Sequence, residues 1–388
     1  MVQNGAMNNE ELLSLFSTLI SSSSVSGTEK RIVDCLDDIF HSLGFDTVRM
    51  ESGSICGILE GRKDGPVILI DAHIDTVGVA DPGKWSTDPF VLTKKDGKLY
   101  GRGASDMKGG LAAAIAGASS FRGRDFPGRI VVACVVEEER FEGICAREIS
   151  SFFNPDFVII GESTHGKLNI GQRGRCEITV VAEGKSCHSS NPEEGINAVS
   201  VMIDAIKAIE DMPLHEDDML GKGIMVLTDI ISSPYPGSSV LPEKCRATYD
   251  RRTLPGESGE SVAGEINAVL SSRGIDAKAF VAMGETDTYT GLHLHSERFF
   301  PAWKYREDDE IAIKARRGLE EAGLWSGFGH YSFCTNASHY AGEKGIPTIG
   351  YGPGEERLAH IVDEYIEEED LYRAKRGMEA IIKGLLGI

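Results

Sequence analysis

The spacing of apolar residues changes several times along this chain, and each change marks an element. From Asn9 to about Ile20, Leu12, Leu13, Leu15, Phe16, Leu19 and Ile20 recur at close to helical spacing. A serine-rich link follows. Ile32, Val33, Leu36, Ile39 and Phe40 then share one face of a second helix, which Ser26 or Thr28 would cap and Gly44 would end. Compact apolar runs at 67–70, 130–136 and 157–160 read as strands, with helices at about 108–120 and 143–152 between them. Short strands alternating with helices predict an α/β layer with a mostly parallel central sheet.

After Gly171 the order changes to strand (176–182), helix (196–209), strand (223–230), strand (244–251), helix (259–271) and strand (277–281). This β-α-β-β-α-β order is the ferredoxin-like arrangement, complete as an α+β domain by itself. A charged helix (308–322), a helix near 338–344, a strand at 347–351 and a last helix from about 367 to 386 resume the α/β character. The expected organisation is therefore a discontinuous first domain, 1–171 and 292–388, with an inserted second domain, 172–291.

The length of 388 residues agrees with two cores, and 41% hydrophobic residues suffice to fill them. A net charge of −20 argues against nucleic acid and anionic membranes as partners. The apolar runs fall far short of the roughly 20 residues of a membrane-spanning helix. The start, MVQNGAMNNEELLSLF, resembles neither a secretory signal nor a transit peptide. The eight cysteines include no CxxC pair and have no framework spacing. A soluble cytoplasmic protein with reduced thiols is expected.

The polar residues sharpen the picture because three predicted parallel strands run into metal-ligating or proton-moving side chains. The strand at 67–70 leads to His73 and Asp75, that at 130–136 to Glu137 and Glu138, and that at 157–160 to Glu162. Ligands of open α/β sheets bind at the carboxyl ends of strands, so these residues should converge. Asp106 stands just before an alanine-rich helix, where glycines at 101, 103, 109 and 110 permit close approach; a helix cap is its purely structural alternative. His73 and Asp75 would share a strand face, so the carboxylate can orient a metal-binding imidazole. Adjacent glutamates repel unless cations lie nearby. With metal present, one can be a ligand and the other a base. Solvated carboxylates at a loop start are the alternative reading.

The segments AHIDTV (72–77), WSTDPF (85–90), LYGRGASDMKGG (99–110), VEEERFEG (136–143), GES (161–163), GKSCHSSNPEEGINA (184–198), DRRTLPGE (250–257) and GPGEERLAHIVDEY (352–365) resemble, in order, those of the M20 family of zinc peptidases and deacylases. The resemblance implies two divalent cations per subunit, zinc with cobalt or manganese as alternatives. His73, Asp106 and Glu162 would hold one, and Asp106, Glu138 and His360 the other. It further implies Asp75 orienting His73, Glu137 as general base, and His188 stabilising the oxyanion from the partner subunit of a homodimer. Arg252 would grip a substrate carboxylate, and Gly352 and Gly354 would line the substrate loop. The chain departs from the family pattern at Ser239, where asparagine is frequent, at Asn336 in CTNA, and at Cys187. Ser239 and Asn336 are accordingly substrate-side candidates that bear on specificity.

His293 and His295 read as surface or hinge residues, and His339 as a possible pocket residue beside Asn336. The leading expectation is hydrolysis of an amide in a small N-acyl or N-carbamoyl amino acid. A dipeptidase or aminopeptidase would use the same centre. A non-catalytic binding protein on this fold would have lost ligands that are present, and a serine hydrolase would need a GxSxG elbow that GRGASDM does not match.

Overall fold

A computed structural model describes residues 7–388 and divides the chain into two units. The first comprises 1–172, 285–294 and 304–388; the second comprises 173–284 and 295–303. The chain therefore passes between units four times, where the sequence pattern suggested two crossings, because segment 295–303 returns to the second unit.

The centre of the first unit is a run of four parallel strands in the spatial order Pro127–Val135, Lys63–His73, Phe157–Ile160 and Thr348–Gly350. Ile68, Leu69, Ile70, Val131, Val132, Val158, Ile159 and Ile349 are inaccessible to solvent, the mark of strands covered on both faces. Register fixes where the strands end together: His73 lies opposite Val135, Asp71 opposite Ile160, and Gly350 opposite Ile160. Every residue that follows these positions emerges at one edge of the sheet. Strand Ile55–Glu60 extends the sheet antiparallel to Pro127–Val135, an addition that period-two reasoning overlooked because ICGIL, buried residue after residue, has no polar alternation before Glu60.

Helix Gly109–Ser119 (GGLAAAIAGAS) is buried along its whole length. Its small side chains let the neighbouring backbone come close. Helix Asn9–Ser21 begins with a capping box between Asn8 and Glu11. Helix Lys30–Ser42 has no side-chain cap. Ser26, expected to cap it, instead donates to Asp75 Oδ2 at 2.7 Å, and Thr28 Oγ1 donates to the Val25 carbonyl. The predicted helix near 338–344 is a wider-wound turn over Ser338–Glu343. A small sheet of Thr93–Lys95, Lys98–Tyr100 and Tyr365–Glu367 joins sequence-distant segments, with Tyr100 opposite Tyr365.

The second unit has the ferredoxin-like strand order. Ile224–Ser233 pairs with Lys244–Thr253, which pairs with Gly174–Glu183, which pairs with Ala277–Val281, all antiparallel. Helices Ala198–Glu210 and Gly259–Ser272 pack on the face bearing Ile178, Val180, Ala247 and Tyr249. The other edge strand, Ile224–Ser233, exposes Ile224, Val226, Ile230 and Ile231. All eight cysteines are free thiols, and among the described residues no helix is long and apolar enough to cross a membrane.

Candidate metal centre

His73, the last residue of its strand, is 1% exposed. Its Nδ1 lies 2.9 Å from the backbone carbonyl of Asp75, and only 3.7 Å from that residue's carboxylate. The carbonyl is therefore what orients the ring, with Nδ1–H donating and Nε2 left as a ligand atom. The Asp75 carboxylate has another task. It accepts from the backbone N–H groups of Glu138 and Glu139, both at 3.1 Å, and from Ser26. Asp75 thus pins the glutamate turn, where the sequence suggested that it holds the imidazole.

That turn decides which glutamate does what. Glu137 has φ +62°, in the left-handed region, so the carboxylates of 137, 138 and 139 diverge instead of alternating as on a strand. Glu137 is buried, with Oε2 accepting from Thr286 Oγ1 at 2.7 Å and lying 3.6 Å from Arg140 Nη1 in a looser ion pair. Glu138 lies 4.0 Å from His73 Nε2, and Glu162 lies 3.3 Å from the same atom. Glu139, passed over in the sequence, sits 2.9 Å from His360 Nε2. The geometry thus shifts the expected pattern by one residue: Glu139, in the place expected for Glu138, joins Asp106 and His360, and Glu137 faces away from them. Nothing in a run of three glutamates signals which one turns aside.

Asp106 joins the two halves. One oxygen is 2.8 Å from His73 Nε2 and the other 3.1 Å from His360 Nε2. Donor atoms of His73, Glu138 and Glu162 lie within 4.8 Å of one another, as do those of His73, Asp106 and Glu139. Burial, followed by repulsion from Asp106, pushes Glu162 up to about 7. Burial likewise lifts Glu138 well above the usual carboxylate range, with Glu162 and Glu142 adding to it, and raises Glu139, with Asp106 adding to it. Burial also opposes ionisation of Asp106, yet its bonds to His360 and His73 hold it below the usual value. His360 is lifted to about 10 by Asp106 and Glu139. Two imidazoles facing four mostly buried carboxylates leave an excess of negative charge, which fits a pair of divalent cations bound through oxygen and imidazole nitrogen. His73, Asp106 and Glu162 would hold one cation; Asp106, Glu139 and His360 would hold the other.

The remaining candidates separate into distinct environments. Gly352 accepts at its carbonyl from Thr164, and a Cβ there would lie 2.3 Å from the Gly161 carbonyl oxygen. Gly354 has φ +78° and accepts from His165 N–H. Both glycines therefore seat the loop against the Glu162 strand end. Asn336 is 2% exposed, accepting from Gly143 N–H and donating to Asp71, so its amide clips the loop after the glutamates to the strand Lys63–His73. Tyr340 donates to the other oxygen of Asp71. His339 is buried between Ser150 and Glu343, which makes it part of the packing.

In the second unit, His188 is exposed, and its Nδ1 accepts from Ser190 N–H at 3.1 Å. Its Nε2 is then the protonated nitrogen of the neutral ring, a tautomer assigned from this bond. Arg252 pairs with Asp250 at 3.0 Å and keeps a partly open guanidinium, whereas Arg251 is buried against Glu257 and Glu265. Ser239 is exposed in a loop at φ +55°, its carbonyl accepting from Ser189 N–H.

Residues 69–384 match the model of peptidase family M20/M25/M40. The uncharacterized protein YgeY of Escherichia coli K12 is 33% identical over 358 residues, covering 89% of this chain and 87% of that protein. Acetylornithine deacetylase of Vibrio vulnificus is 30% identical over 373 residues, covering 91% and 93% respectively. Among solved structures, a tripeptidase from Staphylococcus aureus shares the fold at a TM-score of 0.77 and 21% identity, covering 99% of this chain and all of that one. Since the family match runs through the strand ends that carry the donors and through the inserted unit between them, this chain belongs to peptidase family M20/M25/M40.

Proposed function

We propose that the chain is a two-metal amidohydrolase that cleaves the amide bond of a small N-acyl or N-carbamoyl amino acid. The observation that carries this reading is Asp106, whose two oxygens face different imidazoles, 2.8 Å from His73 and 3.1 Å from His360. A carboxylate so placed suits a bridge between two ions. Bound divalent cations, zinc with cobalt or manganese as substitutes, would supply a nucleophilic water near neutral pH and a Lewis acid for the scissile carbonyl.

Glu138 is the general base. Its carboxylate adjoins His73 and Glu162, and Asp75 fixes its backbone. It takes the proton released when water adds to the amide carbon and returns it to the leaving nitrogen as the C–N bond breaks. Three ligand carboxylates against two dications leave about one positive charge, which tolerates an anionic substrate. The protonated Nε2 of His188, reaching across from the partner subunit of a homodimer, is the donor for the developing oxyanion, and Arg252 receives a substrate carboxylate through its planar fork. The loop of Gly352 and Gly354, seated against the Glu162 strand end, borders the substrate, and Ser239 bears on specificity. A homodimer is supported by the unpaired edge strand Ile224–Ser233 with its exposed Ile224, Val226, Ile230 and Ile231. The deacylase reading is favoured over a dipeptidase or aminopeptidase by the acetylornithine deacetylases and probable succinyl-diaminopimelate desuccinylases among the relatives.

The test combines metal analysis with three variants, assayed on N-acetyl, N-succinyl and N-carbamoyl amino acids and on dipeptides. Glu138→Gln should retain both ions and lose about 10²–10⁴-fold in kcat. Glu139→Gln should lose metal. Glu137→Gln should stay close to the parent in both respects. Loss of turnover with metal retained in Glu137→Gln, and not in Glu138→Gln, would overturn the assignment. Turnover of dipeptides alone would replace the deacylase reading by the peptidase one, and a metal-loaded parent inert on every substrate would favour a binding protein.

A further inference from the structure

The Glu364 carboxylate is wholly buried and surrounded by donors. Its Oε1 accepts from the backbone N–H groups of Ser105 at 2.8 Å and Asp106 at 3.0 Å. Its Oε2 accepts from Gly103 N–H at 3.1 Å and Arg102 Nη1 at 2.6 Å. Four donors on one carboxylate, one of them Asp106's own amide, define the path of the loop that presents Asp106. The Glu364 backbone carbonyl adds a bond from Gly101 N–H at 3.0 Å, continuing the pairing of Tyr100 with Tyr365.

Glu364 also follows His360 by four residues, in a segment where His360 and Asp363 both have positive φ, +63° and +57°. The Asp363 carboxylate accepts from Ser86 N–H, and the Pro89 carbonyl accepts from Arg102 N–H. The Trp85 ring lies under the Arg102 guanidinium at 5.1 Å. The motif WSTDPF thus acts as a buttress, holding Arg102 and the His360 segment in one block. Asp106 and His360, both carried by segments of that block, stand 3.1 Å apart.

We propose that Glu364, held by Arg102, is the positioning residue that sets metal affinity by fixing Asp106 in its bridging pose beside His360. This rests on the two-metal reading above. Every contact that Glu364 makes requires an acceptor, so Glu364→Gln keeps the size but turns an amide NH₂ toward N–H donors on one side or the other. The loop must shift, and Asp106 shifts with it. Residues that orient metal ligands in this way typically alter affinity by about 10–100-fold when replaced.

The experiment titrates metal-free full-length protein with Zn²⁺ against a chromophoric chelator, without substrate and well below each protein's unfolding temperature. The parent should take two ions. Glu364→Gln should hold at least one of them about 10–100-fold more weakly. Asn267→Ala, which breaks two bonds to Ala279 inside the second unit, should lower thermal stability and leave affinity unchanged. That contrast separates positioning from general loss of stability. If Glu364→Gln does not fold, Arg102→Lys serves instead, because it removes the guanidinium contact and leaves the carboxylate and its backbone donors; a several-fold weakening is expected. Parental affinity in whichever variant folds overturns the inference while leaving the metal centre intact. A parent that binds no ions overturns both.

Discussion

Gly110→Ala tests how tightly the metal centre is built into the backbone. Gly110 lies in the first turn of the buried helix Gly109–Ser119, and a Cβ there would sit 1.9 Å from the carbonyl oxygen of Gly161 and 2.9 Å from its carbon. Ordinary contact begins near 3.4 Å, so helix and strand end must separate by roughly 1.5 Å. Neither side yields cheaply: the obstacle is backbone, and Gly161 N–H is already bonded to the Asp71 carbonyl at 2.9 Å. Alanine should favour the helix by about 1 kcal/mol, but overpacking a filled core costs about 1–3 kcal/mol, so net destabilisation is expected. The functional effect should be larger, because Gly161 directly precedes Glu162. Metal distances tolerate only about 0.2 Å, and displacement of a positioned group by about 1 Å costs on the order of 10²-fold in rate. The assay is kcat/KM at saturating metal, with urea unfolding on the same samples. Gly264→Ala is the control, since a Cβ there meets nothing within 4 Å on helix Gly259–Ser272 of the second unit. It should gain about 0.4–1 kcal/mol and keep parental activity. If Gly110→Ala matched the parent in rate and in urea midpoint, the argument that backbone contact positions Glu162 would be wrong.

Two further outcomes follow from charge. Chelation should lower the unfolding temperature by several degrees, reversibly on adding metal back, since ligation at a hundred times its dissociation constant contributes about 2.7 kcal/mol; a scan that chelator leaves unmoved would contradict a built metal site. Glu343, although burial opposes its ionisation, is held at about 2 by hydrogen bonds from His339 and Arg147. A depressed carboxyl stabilises the fold above its unfolded value near 4.5 and loses that contribution as pH falls toward 2. Glu343→Gln should therefore cost about 1–2 kcal/mol near neutrality, with the gap from the parent closing between pH 4.5 and 2 in urea titrations. A gap that is constant with pH would show that the carboxylate's charge is not the source.

Much of the site was legible because strand ends are legible. Apolar runs at 67–70, 130–136 and 157–160 are short and bounded, so the sequence alone puts His73, the glutamate run and Glu162 at one sheet edge. The two helices and four main strands of the second unit were readable in the same way, whereas the return of 295–303 to it carried no local signal. Less accessible were residues whose role depends on a bond to a distant segment. Ser26 resembles a helix cap until Asp75 is found 2.7 Å away, and Asn336 resembles a pocket residue until its amide is found joining Gly143 to Asp71.

By itself the amino-acid sequence determined the alternation of elements, the insertion of a ferredoxin-like unit, the family, and the types of side chain that gather at the sheet edge. These depend on hydrophobic periodicity and residue chemistry, which are local properties of the chain. Only the tertiary structure decided which of three consecutive glutamates faces His360, because that depends on one left-handed residue, Glu137, and on the grip of Asp75 on the two amides after it. It alone also brought Glu364 beneath the Asp106 loop. A hydrogen bond between residues 258 positions apart leaves no period in the sequence, and in the fold it sits beside the pairing of Lys98–Tyr100 with Tyr365–Glu367.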